Sequence, residues 1–555
     1  MGAHALPARS VQRTPGFRNS LGTVTILVVG ALLFAASFPN VVVRFGAFPL
    51  VFVALVPVSF ALSRMRWWST PLYGFFYGFI TYALFNYWLL KFHPLAIFIV
   101  PLIYATYFAF FFPLLWLGGH LFGRWAFLVQ AIIWLAYEWF RIQFYLGYSY
   151  GVIGYALFPA PLLIQTAELG GVWIVSFFVV IPSFFLGQLV NDHGWGLFRS
   201  ASRLRSVVLW RRPELFGYAA FVLFTITWGI VSPVDYEDAP EWDVALIQQN
   251  IDPWRGGFRT YERSLDILLE ESEKAIAAHD PDAVIWSETS FVPSIDYHTR
   301  YRTDQERYEL VRRLRDYLDQ RGIPFVIGNS DGQLRRNDEG ELERVDYNAV
   351  LVFNADGSLQ GTYRKLHLVP FTEHFPYERQ FPWLHRLLVE NDTTFWEAGT
   401  EWTVFELNGH RFSTPICFED TFGYLSRGFV RRGSEVIVNL TNDLWSHSEP
   451  AAMQHLGMAV FRTVENRRSM VRSTNGGMTA IIDPNGRITG IYPAFTQGYL
   501  AGTVPVYTDS TTLYTAWGDW LAWVFVALAA VFLLFGVTRV WIRPLIDKAH
   551  GTVGK

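Results

Sequence analysis

Long apolar stretches and charge-rich stretches alternate along this chain of 555 residues. Uncharged runs dominate the N-terminal part and return near the C-terminus, whereas the middle carries most of the charged side chains. A helix needs about 17–25 apolar residues to cross the hydrocarbon of a bilayer. The pattern therefore predicts an N-terminal membrane domain (1–235), a globular domain (240–510), a C-terminal transmembrane helix (516–541) and a tail (542–555).

Eight apolar stretches are candidates for transmembrane helices. They lie near residues 20–38, 46–62, 70–90, 95–119, 125–140, 172–191, 215–232 and 518–540. The first has small residues after its apolar core, as a signal peptide does, but a second apolar run follows almost at once. An uncleaved first span is therefore favoured. Seven predicted spans precede the globular domain and one follows it.

Basic residues are distributed unequally between these spans. The segments on one side of the membrane contain fifteen of them: Arg9, Arg13, Arg18, Arg64, Arg66, Arg124, Arg199, Arg203, Arg205, Arg211, Arg212, Arg539, Arg543, Lys548 and Lys555. The short loops on the other side contain three: Arg44, Lys91 and Arg141. Cytoplasmic loops are enriched in Lys and Arg. The distribution predicts both termini in the cytoplasm, and it places the globular domain outside the inner membrane.

Composition narrows the classes of function. With 51% hydrophobic and 17% aromatic residues, the chain is too apolar for an ordinary soluble enzyme. A net charge of −3 without a basic stripe gives no support for nucleic-acid binding. The single cysteine excludes an internal disulfide and any cysteine-based metal cage. No phosphate-binding loop, dinucleotide-binding or HExxH motif is found, so we expect no metal and no cofactor.

The charge-rich region alternates short apolar runs with amphipathic segments. The run DVALIQQN (243–250) is typical of a buried strand, and residues 259–279 carry apolar side chains at helical spacing among charges. Residues 348–365 predict a hairpin that turns at Asp356-Gly357. Strands that alternate with helices indicate an α/β domain whose sheet or sheets are covered by helices.

Three predicted strands end in side chains suited to chemistry. Glu288 closes VIWSE, Lys365 closes GTYRK, and the only cysteine, Cys417, closes STPIC. The sites of α/β proteins form in loops beyond strand ends. Glu288 would serve as base for the thiol, and Lys365 and the Phe418 N–H would donate to the oxyanion of an acyl-transfer intermediate. Each residue also has a structural alternative: a packed thiol, an exposed acid and a solvated lysine.

Four motifs, in this order, resemble the carbon–nitrogen hydrolase (nitrilase) superfamily with its Glu–Lys–Cys triad. They are VIWSETS (284–290), YRKLHLVPFTEHFP (363–376), PICFED (415–420) and NLTNDLW (439–445). Together with QHLGMAVFRTVENRR, RSTNGG and the predicted spans, they resemble one branch, the bacterial apolipoprotein N-acyltransferases. The resemblance implies a multi-span α-helical membrane bundle joined to a nitrilase-like α-β-β-α sandwich. It also implies a multi-pass protein of the bacterial inner membrane whose catalytic domain is periplasmic.

The resemblance assigns roles residue by residue. It implies Glu288 as general base, Lys365 as stabiliser of the tetrahedral intermediate and Cys417 as nucleophile. The candidates for supporting roles are Glu373, Phe418 and Glu419, and those for substrate binding are Trp254, Asn442, Trp445 and Trp383.

The implied reaction has two steps. Cys417 takes an acyl chain from a phospholipid, the sn-1 chain of phosphatidylethanolamine, and forms a thioester. The α-amine of an apolipoprotein's diacylglyceryl-cysteine then attacks this thioester. The implied partners are therefore a phospholipid donor, an apolipoprotein acceptor and the lipid bilayer.

Two alternatives remain. One is a membrane-anchored nitrilase-type amidase or hydrolase with water as acceptor, although a single anchor would suffice for it. The other is a transporter or channel with an inert outer domain. Charged residues within the membrane would favour it, but the predicted spans contain few of them.

The segment 375–396 is rich in apolar residues, including Trp383 and Leu387. It allows two interpretations: a helix packed on the domain core, or an apolar arm that dips into the membrane and controls acyl entry. Our hypothesis is the arm. Polar replacement of Trp383 and Leu387 should then slow thioester formation while leaving the fold intact.

Overall fold

The protein consists of a helical bundle and a two-sheet domain in a computed structural model. The structure describes residues 17–92, 96–144, 146–253, 255–336, 340–375, 378, 380–383, 386 and 395–539. Within them the predicted fold class is confirmed: a membrane bundle joined to an α-β-β-α sandwich.

Helices make up the N-terminal part. They are α1 (Phe17–Ser37), α2 (Val56–Leu62), α3 (Thr70–Phe85), α4 (Leu89–Phe92), α5 (Ala96–Leu121), α6 (Ala126–Arg141), α7 (Pro161–Ile164), α8 (Ala167–Gly170), α9 (Val172–His193), α10 (Ala201–Trp210) and α11 (Arg212–Val231).

The globular domain and the C-terminus contribute the remaining described helices. They are α12 (Phe258–His279), α13 (Ile295–Tyr301), α14 (Gln305–Arg321), α15 (Gly423–Val430), α16 (Glu449–Asn466), α17 (Leu513–Trp517) and α18 (Trp520–Val537).

Five helices of the described chain are long and apolar enough to cross a membrane: α1, α5, α9, α11 and α18. The predicted spans near 46–62, 70–90 and 125–140 coincide with shorter helical segments. The chain is therefore a membrane protein, and the count of eight spans stays a prediction.

Twelve strands in the described residues form two six-stranded sheets. They are β1 (Glu241–Gln248), β2 (Ala283–Trp286), β3 (Phe325–Arg336), β4 (Leu342–Phe353), β5 (Leu359–Arg364), β6 (Val404–Leu407), β7 (His410–Ser413), β8 (Val436–Asn442), β9 (Ser469–Asn475), β10 (Thr479–Ile482), β11 (Ile488–Tyr492) and β12 (Gly498–Pro505). Their orders are β12-β1-β2-β3-β4-β5 and β11-β10-β9-β8-β7-β6. In each sheet three consecutive strands run parallel, β1-β2-β3 and β7-β8-β9, so their carboxyl ends share an edge.

The two sheets pack face to face through apolar side chains. Val244 and Val326 of the first sheet belong to the same buried cluster as Val438 and Val471 of the second. On its outer face the first sheet is covered by α12 and α14, whose Leu265 and other apolar residues reach its strands. The outer face of the second sheet is covered by α16, and this helix connects the domain to the bundle.

Helix α16 lies between the second sheet and the bundle, with its side chains buried from Ala451 onward. The apolar core of the bundle continues into this helix without interruption. Polar contacts also cross the junction. The Val172 N–H donates to Glu465 at 3.1 Å, and Arg467 pairs with Glu168 at 2.6 Å. Bundle and domain therefore fix each other's position.

The close contact of α16 with the bundle depends on Gly457. A Cβ at this position would lie 2.8 Å from Cδ1 of Phe158. Gly457→Ala should therefore lower the thermal unfolding midpoint by a few degrees, because overpacking costs about 1–3 kcal/mol.

The matched control is Gly217→Ala in α11, where an added Cβ meets nothing within 4 Å. It should leave the midpoint unchanged or raise it, since Ala favours helix. Equal midpoints for the two variants, measured in the same detergent, would contradict this account of the junction.

Candidate active site

The structure brings the ends of three strands together at one edge of the sandwich. Glu288 lies two residues after β2, and Lys365 directly follows β5. The prediction that Cys417 closes its strand is wrong, because β7 ends at Ser413. Pairing with β8 recurs once at Ile416, which bridges Leu440 directly before Cys417. Cys417 instead begins a short turn (Cys417–Thr421) with a φ of +51°, a left-handed conformation that is rare outside glycine.

Glu288 is buried at the centre of this group. Its carboxylate accepts hydrogen bonds from the Asn348 side chain (2.8 Å) and from the Asn442 N–H (2.8 Å), and its charge acts on the Cys417 thiol. Burial raises the pKa of Glu288, and the charge of Lys365, 3.5 Å away, opposes that rise. A carboxylate with a raised pKa beside a thiol is suited to act as its general base.

The ammonium of Lys365 is fully buried between two carboxylates. Its Nζ lies 2.8 Å from Oε1 of Glu373 and 3.5 Å from Oε1 of Glu288. Asn348 donates to Glu373 at 3.0 Å, and the Val369 N–H does so at 2.8 Å, so Glu373 is held in place. Burial disfavours the ammonium, but the charges of Glu373 and Glu288 more than offset this and raise the pKa of Lys365. The side chain is a fixed positive charge.

Cys417 is partly exposed. Burial raises the pKa of its thiol well above the ordinary value, and the charge of Glu288 adds to this effect, while Lys365 acts in the opposite direction. A thiol with a raised pKa needs a base to become a nucleophile, and the Glu288 carboxylate is suited to that role. Phe418, the next residue, packs edge-on against Phe422 with ring centroids 4.8 Å apart.

Glu419 connects the turn that begins at Cys417 to the segment that follows Lys365. It is buried and accepts hydrogen bonds from the N–H groups of Ile416 and Leu366, both at 2.7 Å, and from the Tyr363 hydroxyl at 2.9 Å. Burial raises the pKa of Glu419 to about 7, against the effect of the Ile416 N–H and Lys365. Leu366 follows Lys365 in the chain, and Ile416 precedes Cys417. The side chain of Glu419 therefore holds the backbone next to both of these residues.

Sequence reasoning missed Tyr363 and Asn348. Tyr363 stands two residues before Lys365 on β5, so both lie on one face of the strand, and that alternation is the signal that would have found it. Asn348 belongs to β4, which pairs with β5 through Ala349 and Arg364. No local pattern in the sequence marks it.

The four candidates for substrate binding have different outcomes. Asn442 lies in the site through its backbone N–H. Trp445 packs against Trp88 of the bundle, with ring centroids 5.6 Å apart. Trp383 is 61% exposed, and much of the segment around it lies outside the described residues. Trp254 also lies outside them.

The site borders the junction with the membrane bundle. Tyr150, in the loop after α6, is within electrostatic range of the Cys417 thiol, and its ring lies 6.1 Å from that of His455 on α16. Cys417 itself packs against the apolar core that the bundle shares with the domain. A substrate that reaches the thiol therefore meets apolar surface of the bundle as well as polar groups of the domain.

Comparison with known proteins finds two families. Residues 243–511 match the carbon–nitrogen hydrolase family, and residues 30–185 match the apolipoprotein N-acyltransferase N-terminal domain. Apolipoprotein N-acyltransferase 1 of Treponema denticola is 38% identical over 95% of this chain and 97% of its own length. That of Treponema pallidum is 40% identical over 93% and 96%. The crystal structure of an amidase from Nesterenkonia sp. covers 48% of this chain and 90% of its own, at 20% identity and a TM-score of 0.34.

The positive charge of Lys365 should control the reactivity of Cys417. Alkylation by iodoacetamide labels this one thiol, and its rate follows the thiolate fraction. Lys365→Met removes the nearby charge that favours the thiolate, so the pH midpoint of alkylation should rise.

The matched control is Lys274→Met, because Lys274 is an exposed helical lysine paired with Glu270. It should alkylate as the wild type does. The same pH profile in both variants would show that Lys365 does not act on the thiol.

Proposed function

The chain belongs to the apolipoprotein N-acyltransferase family, and on that premise we propose that it acylates the N-terminal amine of diacylglyceryl-cysteine apolipoproteins. The proposed donor is a membrane phospholipid, phosphatidylethanolamine, through its sn-1 chain. The observation that carries the proposal is the meeting of buried Glu288 and Lys365 with the partly exposed Cys417 at the junction between domain and bundle.

In the first step Cys417 becomes acylated. Its sulfur attacks the ester carbonyl while the thiol proton passes to Glu288. The Lys365 ammonium and the Phe418 N–H stabilise the oxyanion, and one such donor is worth about 3–4 kcal/mol. The carbon–oxygen bond breaks, Glu288 gives its proton to the departing lysophospholipid oxygen, and a thioester remains.

In the second step the acyl group moves to the apolipoprotein. The neutral α-amine of the lipidated cysteine attacks the thioester carbon, and the same two donors hold the oxyanion. Glu288 takes a proton from the nitrogen. The carbon–sulfur bond then breaks, and the sulfur recovers its proton from Glu288. The product is an amide, and the enzyme returns to its starting state.

The position of the site supports lipid substrates. A phospholipid ester lies at the bilayer surface, and the thiol lies where the bundle meets the globular domain. The burial of Glu288 and Lys365 limits access of water to the thioester, which an acyltransferase has to protect from hydrolysis. We place the protein in the bacterial inner membrane with the catalytic domain on the periplasmic side, from the distribution of Lys and Arg.

The raised pKa of Glu288 should appear in the pH dependence of acyl transfer. The base acts as a carboxylate, and burial favours its protonated form. The rate should therefore fall on acidification at a pH above the usual glutamate value of about 4.3. This fall in rate at low pH is the acid limb of the pH profile. Glu288→Gln should remove the acid limb and lower the rate about 10²–10⁴-fold.

For this test the matched control is Glu270→Gln, an exposed helical glutamate. It should keep both the rate and the acid limb. An unchanged acid limb in Glu288→Gln would exclude this residue as the titrating base.

An experiment with both substrates tests the function. The purified protein is incubated with phosphatidylethanolamine, with or without a diacylglyceryl-cysteine peptide. With the peptide, N-acylated peptide and lysophospholipid should form in equal amounts, and Cys417→Ala should form neither. Without the peptide, lysophospholipid release should stop at about one equivalent per enzyme. Continued release without the peptide would indicate a hydrolase instead.

A further inference from the structure

Four buried ionisable side chains lie directly behind the cysteine turn and take no part in the reaction described above. They are Asp420, Asp443, His455 and Arg472, each at most 2% exposed. Nε2 of His455 lies 2.9 Å from Oδ1 of Asp420, and Nδ1 lies 3.0 Å from Oδ1 of Asp443. Arg472 contacts Asp420 through Nη1 and lies 3.9 Å from Asp443 through Nη2.

This cluster joins the nucleophile to the base. Asp420 stands in the turn that begins at Cys417. Asp443 directly follows Asn442, whose N–H donates to Glu288 at 2.8 Å. A shift of either aspartate would therefore change the separation of sulfur and carboxylate. A misplacement of about 1 Å in such a geometry costs on the order of 10²-fold in rate.

His455 and Arg472 both lie against the carboxylates of the cluster. The two ring nitrogens of His455 face oxygens of Asp420 and Asp443, and the Arg472 guanidinium contacts the other oxygen of Asp420. Buried charges are tolerated when they are paired and hydrogen-bonded. The loss of one partner leaves an unbalanced charge in a region of low dielectric constant, where charge acts over a longer range than in water.

We propose that Asp420, Asp443, His455 and Arg472 form a positioning unit that sets the distance between the cysteine turn and Glu288 and compensates the negative charge of the two aspartates behind the thiol. This inference rests on the proposed function and deepens it. Asp443 and Arg472 are both within electrostatic range of the Cys417 thiol.

Further groups already described also face the thiol or the cluster. Glu288, Lys365 and Glu373 act on the thiol from the domain side, and the Tyr150 ring covers His455 from the bundle. The positioning unit therefore lies between the bundle and the reacting groups.

The first test is His455→Gln, which removes the imidazole that bridges Asp420 and Asp443. The less compensated negative charge of the two aspartates should raise the pH midpoint of Cys417 alkylation. Acyl-enzyme formation should slow at least tenfold, while the KM for phosphatidylethanolamine stays unchanged, because the cluster is buried behind the cysteine turn. Asp420→Asn removes a negative charge and should move the alkylation midpoint to lower pH.

The matched control is Arg467→Gln. Arg467 is also a fully buried cation at the end of α16, but it pairs with Glu168 of the bundle. Its replacement should lower stability without moving the alkylation midpoint. Equal loss of rate in His455→Gln and Arg467→Gln, with no shift of the midpoint in either, would overturn the proposal.

The outcomes separate the positioning proposal from the proposed function. Alkylation needs no lipid, so the midpoints decide the positioning unit even where the wild type forms no acyl-enzyme. In that case the proposed function fails by itself. If His455→Gln does not fold, the Asp420→Asn variant tests the positioning unit instead. An unchanged pH midpoint of Cys417 alkylation in that variant counts against the proposal.

Discussion

The burial of one ammonium group, that of Lys365, between Glu288 and Glu373 is the interaction on which the site depends. A lone buried cation is strongly disfavoured, and here two carboxylates within 3.5 Å compensate for the loss of water. These carboxylates are ordered in turn by Asn348 and by backbone N–H groups. The positive charge of Lys365 is thus in place before a substrate arrives. It lies where the oxyanion of an acyl-transfer intermediate would form.

This arrangement requires segments far apart in the chain to meet. Glu288 follows β2, in the parallel part of the first sheet, and Lys365 follows β5, the antiparallel edge strand of the same sheet. Cys417 follows β7 of the second sheet. Glu419 joins the last two segments through backbone hydrogen bonds. The face-to-face packing of the sheets therefore sets the relative positions of acid, amine and thiol. The shared core with the bundle then fixes that assembly at the membrane.

The sequence predicted the layered α/β domain, the hairpin at Asp356-Gly357 and the position of Lys365 at the end of its strand, because each depends on a local pattern. It did not predict β12, whose partner β1 lies some 250 residues earlier in the chain. The left-handed turn at Cys417 was missed because the apolar run before it continues through Pro415. Asn348 and the cluster around His455 were not predicted, because their partners are distant in the chain. Their contacts exist only after the sheets and α16 have packed.

The central claim is that Cys417 carries an acyl group. The most direct measurement is the intact mass of the protein after incubation with phosphatidylethanolamine and no acceptor. The account predicts a mass increase of one acyl chain that hydroxylamine removes and that is absent in Cys417→Ser. A wild-type protein without this adduct, or an equal adduct in Cys417→Ser, would contradict it.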